Sequence, residues 1–381
     1  MSTLKTIYLQ HLNGANTNAT LDANGNMTVT GTVCGASSNM FRNRIINGDM
    51  RIDQRNSGAS VTASGAYTVD RWYAASTAAS KYTVQRNAGS VTPPVGFTNY
   101  LGITSSSSYT AGASETFNIN QGIEGYNTAD LAWGTASAKS VTLSFQVYSS
   151  LTGTFSGCVG NGSVNRSYPF TYTISSANTW TSINIIIPGD TTGTWATDNS
   201  QSIGLYFDLG SGSTFRGTAG SWSGSNYKGA TGSVSVVGTS GATFYITGVQ
   251  LEVGTVATPF ERRLYGHELA LCQRYYWRDN FPSAGYTWGT GSAWGAGSGY
   301  VYKKLPTTMR SAPVLSYGTL SYLAVNYAGN LYAVTGLTYY QNWTGDGGCL
   351  NVSVASGLST NGVVIYMTQT GATYLGFDSE L

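Results

Sequence analysis

From Asn43 to about Phe260 the chain is written in short runs where every second residue is apolar, each run broken by glycine, asparagine or serine. Val141-Thr142-Leu143-Ser144-Phe145-Gln146-Val147-Tyr148 is the clearest, with Val141, Leu143, Phe145 and Val147 on one side. A period of two fits a strand with one buried face and does not fit an amphipathic helix. Residues 168–174, 183–187, 203–209 and 244–251 repeat the pattern. The 49 glycines follow no three-residue period and only eight prolines accompany them, so they read as turn residues rather than a collagen-like or low-complexity tract. Many short strands with glycine-rich turns predict an all-β chain built around a sandwich of jelly-roll type.

The organisation along the chain follows. In residues 1–40, Thr6-Ile7-Tyr8-Leu9 is a strand candidate, and a turn at Asp22-Ala23-Asn24-Gly25 precedes Thr28-Val29-Thr30. Pieces this short bury too little on their own. They are expected to form an N-terminal docking and oligomerisation segment, intertwined with the same segment of other copies. Residues 41–264 are assigned to the sandwich and 265–278 to a connecting helix, in which Glu268 to Tyr275 holds good helix formers and neither Gly nor Pro. Residues 279–381 read as a C-terminal aromatic-rich β domain, with strands expected at 320–327, 331–338, 349–354, 363–368 and 373–377. Just over half of the 27 tyrosines lie beyond Arg263.

Charge is scarce. With 19 Lys and Arg against 17 Asp and Glu, a 9% charged fraction and a net charge of +2, the chain lacks the clustered cations that nucleic-acid binding requires. Arg42, Arg44, Arg51, Arg55 and Arg71 do concentrate near the start of the sandwich, but Asp49, Asp53 and Asp70 interleave them, which suggests paired scaffolding. Apolar runs such as 183–188 are far shorter than the roughly 20 residues of a membrane span, so no membrane insertion is expected. Residues 5–18 hold no continuous apolar core of the kind a signal peptide needs.

The residues that reactive chemistry would need are scattered along the chain. Cys34, Cys158, Cys272 and Cys349 form no Cys-x-x-Cys pair, which leaves isolated reduced thiols as the reading. His267-Glu268-Leu269-Ala270-Leu271 starts like a helical zinc-protease motif but carries Leu271 in place of the second histidine, and His11 is the only other histidine. No Gly-x-Ser-x-Gly elbow or phosphate-binding loop is present. Glu115, Glu124, Asp190, Asp198 and Asp208 are the carboxylates that could pair for glycoside hydrolysis or hold calcium, although Asp190 and Asp198 fall at turns and no solenoid repeat is found. The expectation is a chain without catalytic residues, metal or cofactor.

Aromatic side chains carry the stronger signal. Sugar rings stack their C–H faces on Trp and Tyr while Asn, Asp and Gln bind hydroxyls. Tyr286, Trp288, Trp294 and Tyr300 sit among glycines; Tyr339, Tyr340, Asn342, Trp343 and Asp346 form a second group; Trp222, Asn226 and Tyr227 form a third. These are the candidate glycan contacts, with core packing and subunit interfaces as the competing roles.

Several phrases, in order, resemble one group of proteins. Asn43-Arg44-Ile45-Ile46-Asn47-Gly48-Asp49-Met50 leads to Val69-Asp70-Arg71-Trp72. Gln121-Gly122-Ile123-Glu124-Gly125, Pro188-Gly189-Asp190 and Phe207-Asp208-Leu209-Gly210 follow. Gly248-Val249-Gln250-Leu251-Glu252-Val253-Gly254, Thr258-Pro259-Phe260-Glu261 and Leu271-Cys272-Gln273-Arg274-Tyr275-Tyr276 complete the series, with Met309-Arg310-Ser311-Ala312-Pro313 and the final Gly376-Phe377-Asp378-Ser379-Glu380-Leu381 behind them. The set resembles tail fibres and virion appendages of tailed bacteriophages that carry a carbohydrate-binding-module-like jelly roll. The resemblance implies a virion location on head or tail, a homotrimer, docking to other virion proteins through the N-terminal segment, and recognition of host surface glycans. Purely structural decoration and polysaccharide depolymerisation are the alternatives, and no binding residue transfers from the group.

Overall fold

Where every second side chain is apolar the backbone runs extended, and the apolar rows of two sheets meet. The computed structural model describes residues 7–9, 19–21, 27–29, 41–281, 287–359, 364–369 and 371–381. At the start, β1 (Ile7–Leu9), β2 (Ala19–Leu21) and β3 (Met27–Val29) form a three-stranded antiparallel sheet. The rest of the expected N-terminal segment, with Cys34, lies outside the described residues.

The sandwich begins with β4 (Val61–Thr62), β5 (Ala66–Tyr67), β6 (Tyr73–Ser76) and β7 (Tyr82–Arg86). It continues through β8 (Leu101–Ser105), β9 (Phe117–Glu124), β10 (Val141–Ser149), β11 (Gly153–Asn161) and β12 (Ser167–Ile174). It ends with β13 (Thr181–Ile187), β14 (Gln201–Asp208), the short parallel pair β15 (Arg216–Gly217) and β16 (Gly229–Ala230), and β17 (Thr243–Val253). One sheet is ordered β13-β10-β17-β8-β7-β4 and the other β12-β11-β14-β9-β6-β5. Within them β8-β17-β10-β13 faces β9-β14-β11-β12, which is the jelly-roll strand order. The inward row Val141, Leu143, Phe145 and Val147 is buried against Phe155, Phe207 and Phe244, as the alternation requires. Burial of each such side chain contributes about 1.5–3 kcal/mol.

Two glycines shape this half. In β11, a Cβ at Gly157 would lie 2.4 Å from the Tyr206 carbonyl oxygen and 2.5 Å from the Phe170 ring, so glycine lets both neighbours close. Gly248 interrupts the register of β17 with β10 between Ser144 and Gln146, where its φ of +62° makes a bulge. A Cβ there would sit 2.6 Å from the ring of Phe97, which packs on the bare backbone.

The expected helix is shorter than its assigned 265–278. Helix α1 (Tyr265–Gln273) ends where Tyr276 enters β18 (Tyr276–Phe281), because Tyr276 to Phe281 pairs with Asp378 to Thr373 and sheet pairing takes over from helical propensity. The strand expected over 320–327 opens with a single 3₁₀ turn (Leu320–Tyr322), and only Leu323–Tyr327 is extended. Beyond the helix come β19 (Thr287–Gly295), β20 (Ser298–Lys304), β21 (Val314–Tyr317), β22 (Leu323–Tyr327), β23 (Asn330–Thr344), β24 (Gly347–Val354), β25 (Val364–Gln369) and β26 (Thr373–Asp378). Strands β19-β20-β24-β23-β22-β25 close into a barrel, flanked by the sheet β18-β26-β21. Stacked rings of Trp277, Phe377 and Trp343, with centroids 5.3 and 5.4 Å apart, tie that sheet to the barrel core.

The barrel and the sandwich meet over a buried charge. Arg71, in the left-handed region at φ +74°, is 1% exposed. Its guanidinium lies 3.5 Å above the Tyr275 ring, donates to the Gly122 carbonyl and pairs with Glu380, which also pairs with Arg55 at 3.1 Å. Arg55 reaches Asp378 at 2.9 Å. Arg310 donates to the carbonyls of Ser379 and Glu380, and Asn199 donates to the Arg310 carbonyl. Asn47 closes the same region from below: its side chain bonds both the N–H and the carbonyl of Ile52, and its backbone N–H donates to Glu268.

Neutralising Glu380 as Glu380→Gln leaves the buried Arg71 cation without its counter-charge. The expected loss is about 3–5 kcal/mol in urea unfolding, and a loss under about 1 kcal/mol, the size of an exposed pair, would contradict the assignment. Gly248→Ala is expected to lower stability by about 1–3 kcal/mol through its positive φ and the clash with Phe97; an unchanged unfolding midpoint would show that the bulge is not needed.

Candidate functional site

Alternation along the barrel strands decides which of the nominated rings face solvent. In β20, Val301 points into the barrel, so its neighbours Tyr300 and Tyr302 point out. Register places Tyr302 opposite Cys349, and Cys349 opposite Tyr340, so three adjacent strands carry these side chains across one outer wall. The rings of Tyr300 and Tyr340 are stacked, with centroids 5.7 Å apart and planes 16° from parallel. Tyr302 is 58% exposed and Tyr340 38%. Trp294, 53% exposed, stands at the tip of the β19–β20 hairpin, where a bulge follows Ala293. Tyr302 was not nominated from the sequence; its neighbour Val301 and the apolar–polar alternation of β20 were the available signal.

Other nominated residues lie elsewhere. Trp288 and Trp343 are 5% and 9% exposed and belong to the barrel core, so neither offers a ring face to a ligand. Trp343 also donates its indole N–H to the Cys349 carbonyl at 2.6 Å. Tyr339 packs against Trp343 and donates its hydroxyl to the Pro313 carbonyl. Asp346 accepts from Thr308 and from the Leu305 N–H through its own carbonyl, which makes it a turn-holding residue. Tyr286 is outside the described residues, and of Asn342 only the backbone, within β23, is described.

Trp222 and Tyr227 sit on the loop that joins β15 and β16. Trp222 meets Trp133 and Trp195 edge to face at 5.4 and 5.6 Å and donates its indole N–H to the Pro188 carbonyl. Tyr227 lies across Gly217, and Asn226 is half-buried beside it. The loop covers the outer face of the second sheet, where the Lys228 amine stands 3.8 Å over the Tyr206 ring. Burial pushes this lysine down to about 8, with an opposing influence from Cys158, and burial pushes the thiol of Cys158 and the phenol of Tyr206 up to about 12.

The nominated carboxylates are engaged in scaffolding. Asp190 takes both donors of Arg166 at 2.7 Å. Asp208 pairs with Arg216 at 2.9 Å and caps the N–H groups of Gly210 and Ser211. Glu124 is held by Arg274 and by the Tyr275 hydroxyl, Glu115 by Tyr109 and Gly112, and Asp198 by the Ser200 N–H. None of the five lines the clefts of 370, 490, 130 and 450 Å³ found on the surface. Among the described residues no three His, Cys, Asp or Glu side chains gather in a metal-binding group. Among the described residues no helix is long and apolar enough to cross a membrane.

No protein-family model and no curated protein matches the sequence. Solved structures do match. The enzymatically active domain of tailspike protein 4 from bacteriophage CBA120 is 12% identical, with 56% of this chain and 22% of that chain covered at a TM-score of 0.30. This chain thus spans about a fifth of the tailspike's length. The module TmCBM61, in complex with β-1,4-galactotriose, is 10% identical over 56% of this chain and 99% of its own, with a TM-score of 0.29. A family 11 carbohydrate-binding module from Clostridium thermocellum, bound to a mixed-linked tetrasaccharide, is 15% identical over 54% and 100%, with a TM-score of 0.26. Identities and TM-scores of this size transfer neither ligand nor activity.

The native state releases the Lys228 proton near pH 8 and an unfolded chain near 10.5, so this residue's contribution to stability rises with pH across that window. Lys228→Met is therefore expected to be more stable than the parent at pH 7, with an advantage that shrinks between pH 8 and 10. An advantage independent of pH in paired denaturation curves would refute the burial of a charged amine.

Proposed function

We propose that this chain is a non-enzymatic, glycan-binding subunit of a virion appendage, assembled as a homotrimer. The observation that carries the reading is the outward Tyr300–Tyr340 stack with Tyr302 beside it, held on the wall of a closed barrel. Rings fixed on sheet backbone lose little freedom when a sugar lies over them, so the entropic cost of contact is low. Exposed Trp294 extends the apolar strip toward the hairpin tip. Three copies on one axis would raise effective concentration, and weak single-site contacts would then give useful avidity. The virion setting rests on the ordered sequence phrases, and the absence of catalysis on the engagement of every nominated carboxylate in scaffolding.

A second reading, structural decoration without a ligand, draws on other exposed apolar side chains. Leu264 and Tyr265 at the start of α1 lie open, as does Phe41, whose ring meets His267 of the same helix, and subunit-interface residues would be exposed in this way.

The test compares parent protein with the Tyr300→Ala/Tyr302→Ala/Tyr340→Ala variant for retention on host envelope polysaccharide, with light scattering to follow mass. Glycan recognition predicts at least about a tenfold loss, near 1.4 kcal/mol, with oligomer mass and melting temperature unchanged. Full retention, or collapse to the 40.2 kDa single-chain mass, would assign these rings to subunit contact.

A further inference from the structure

The sandwich carries a second cleft whose chemistry differs from that of the barrel wall. Its floor is the outer face of β10 and β13. Register sets Ser144 opposite Asn184 and Gln146 opposite Ser182, so four polar side chains form a square on the sheet. Gln146 donates its amide N–H to the Ser182 hydroxyl at 2.8 Å and accepts back at 3.0 Å, which leaves the Asn184 amide exposed to offer both a donor and an acceptor. The cleft holds about 490 Å³, within the range of small-ligand sites.

Its wall is built by the bulge and by a clamped loop. Phe97 rests on Gly248 and meets Phe260 edge to face at 5.3 Å. Phe260 is delivered by the segment after β17, which Glu252 fixes by accepting from the N–H and hydroxyl of Thr258 at 2.8 and 2.6 Å. Gln250 adds bonds to the Thr258 carbonyl and the Glu261 N–H. The wall is therefore pre-formed rather than assembled by a ligand.

The rim supplies charge. The Arg262 guanidinium lies 4.8 Å from the Phe97 centroid and 5.7 Å from that of Phe260, is exposed, and forms no ion pair among the described residues. Asp49 is the carboxylate that senses it, but Asp49 is paired with Arg51 at 3.1 Å. In a chain whose buried arginines are matched to carboxylates or carbonyls, an exposed guanidinium set over a ring at the edge of a polar floor is a recognition element. Its planar fork fits a carboxylate.

We propose that this cleft binds an acidic saccharide, with the sugar carboxylate on Arg262, its hydroxyls on Asn184 and the Gln146–Ser182 pair, and its apolar face against Phe97 and Phe260. The site is separate from the barrel wall and stands if that wall binds nothing.

Calorimetric titration of the full chain with a galacturonate oligosaccharide, its methyl ester and a neutral galactose oligosaccharide of equal length provides the test. The acid should bind the parent at least about tenfold more tightly than the ester, and the preference should fall as salt rises. Arg262→Gln should erase the preference. Because Arg262 is exposed and unpaired, that variant should fold normally, which thermal unfolding verifies. The triple tyrosine variant should keep the preference. Equal binding of acid and ester, no binding of either, an unaltered preference in Arg262→Gln, or its loss in the tyrosine variant alone would each overturn the proposal.

Discussion

The interaction on which this architecture turns is the burial of the Arg71 cation between Glu380, the Gly122 carbonyl and the face of Tyr275. Such a cation is tolerated only when a counter-charge and hydrogen bonds replace its water. Glu380 belongs to the final segment of the chain, Gly122 to the sandwich and Tyr275 to the turn that follows the connecting helix. One guanidinium thereby fixes three elements distant in sequence. Arg274 with Glu124 and Arg310 with the carbonyls of Asn199 and Ser379 repeat the device along the same seam. The seam holds the barrel at a set place on the sandwich.

The same use of charge shapes what the surface can do. Carboxylates are few, and those that sequence reasoning nominated for acid–base work hold loops or neutralise arginines. Asp190 with Arg166 and Asp208 with Arg216 brace the turns that follow β13 and β14. Open chemistry is left to rings and amides: tyrosines on the barrel wall, and the phenylalanine-walled cleft with Arg262, which forms no ion pair among the described residues, at its rim. Both rest on strands, and the bulge at Gly248 shows backbone geometry serving a surface feature.

How much of this was legible in the sequence depended on whether the determinant was local. β10 could be read directly because its alternation is a local property, whereas β11 could not, because Gly157 and its neighbours are small for the sake of Phe170 and Tyr206 on adjoining strands. A strand-rich C-terminal region was readable; closure into a barrel was not, since it depends on β19 pairing with β25, far along the chain. A long stretch of chain likewise separates Tyr300 from Tyr340, which only register through β24 brings together. Trp288 and Trp343 sit among glycines that suggest exposed loops, yet they fill the barrel interior. The Phe97–Phe260–Arg262 cleft had no local signature, because a loop before β8 and a segment after β17 meet only in three dimensions.

In the proposed reading this chain holds carbohydrate on passive aromatic surfaces while its acids serve the scaffold. The most direct measurement is the size distribution of host polysaccharide before and after prolonged incubation with the protein, with reducing ends assayed on the bound and eluted fractions. A passive binder returns the polymer at its original length with no new reducing ends. Shortened chains whose production ceases in Asp190→Asn or Glu124→Gln would contradict it.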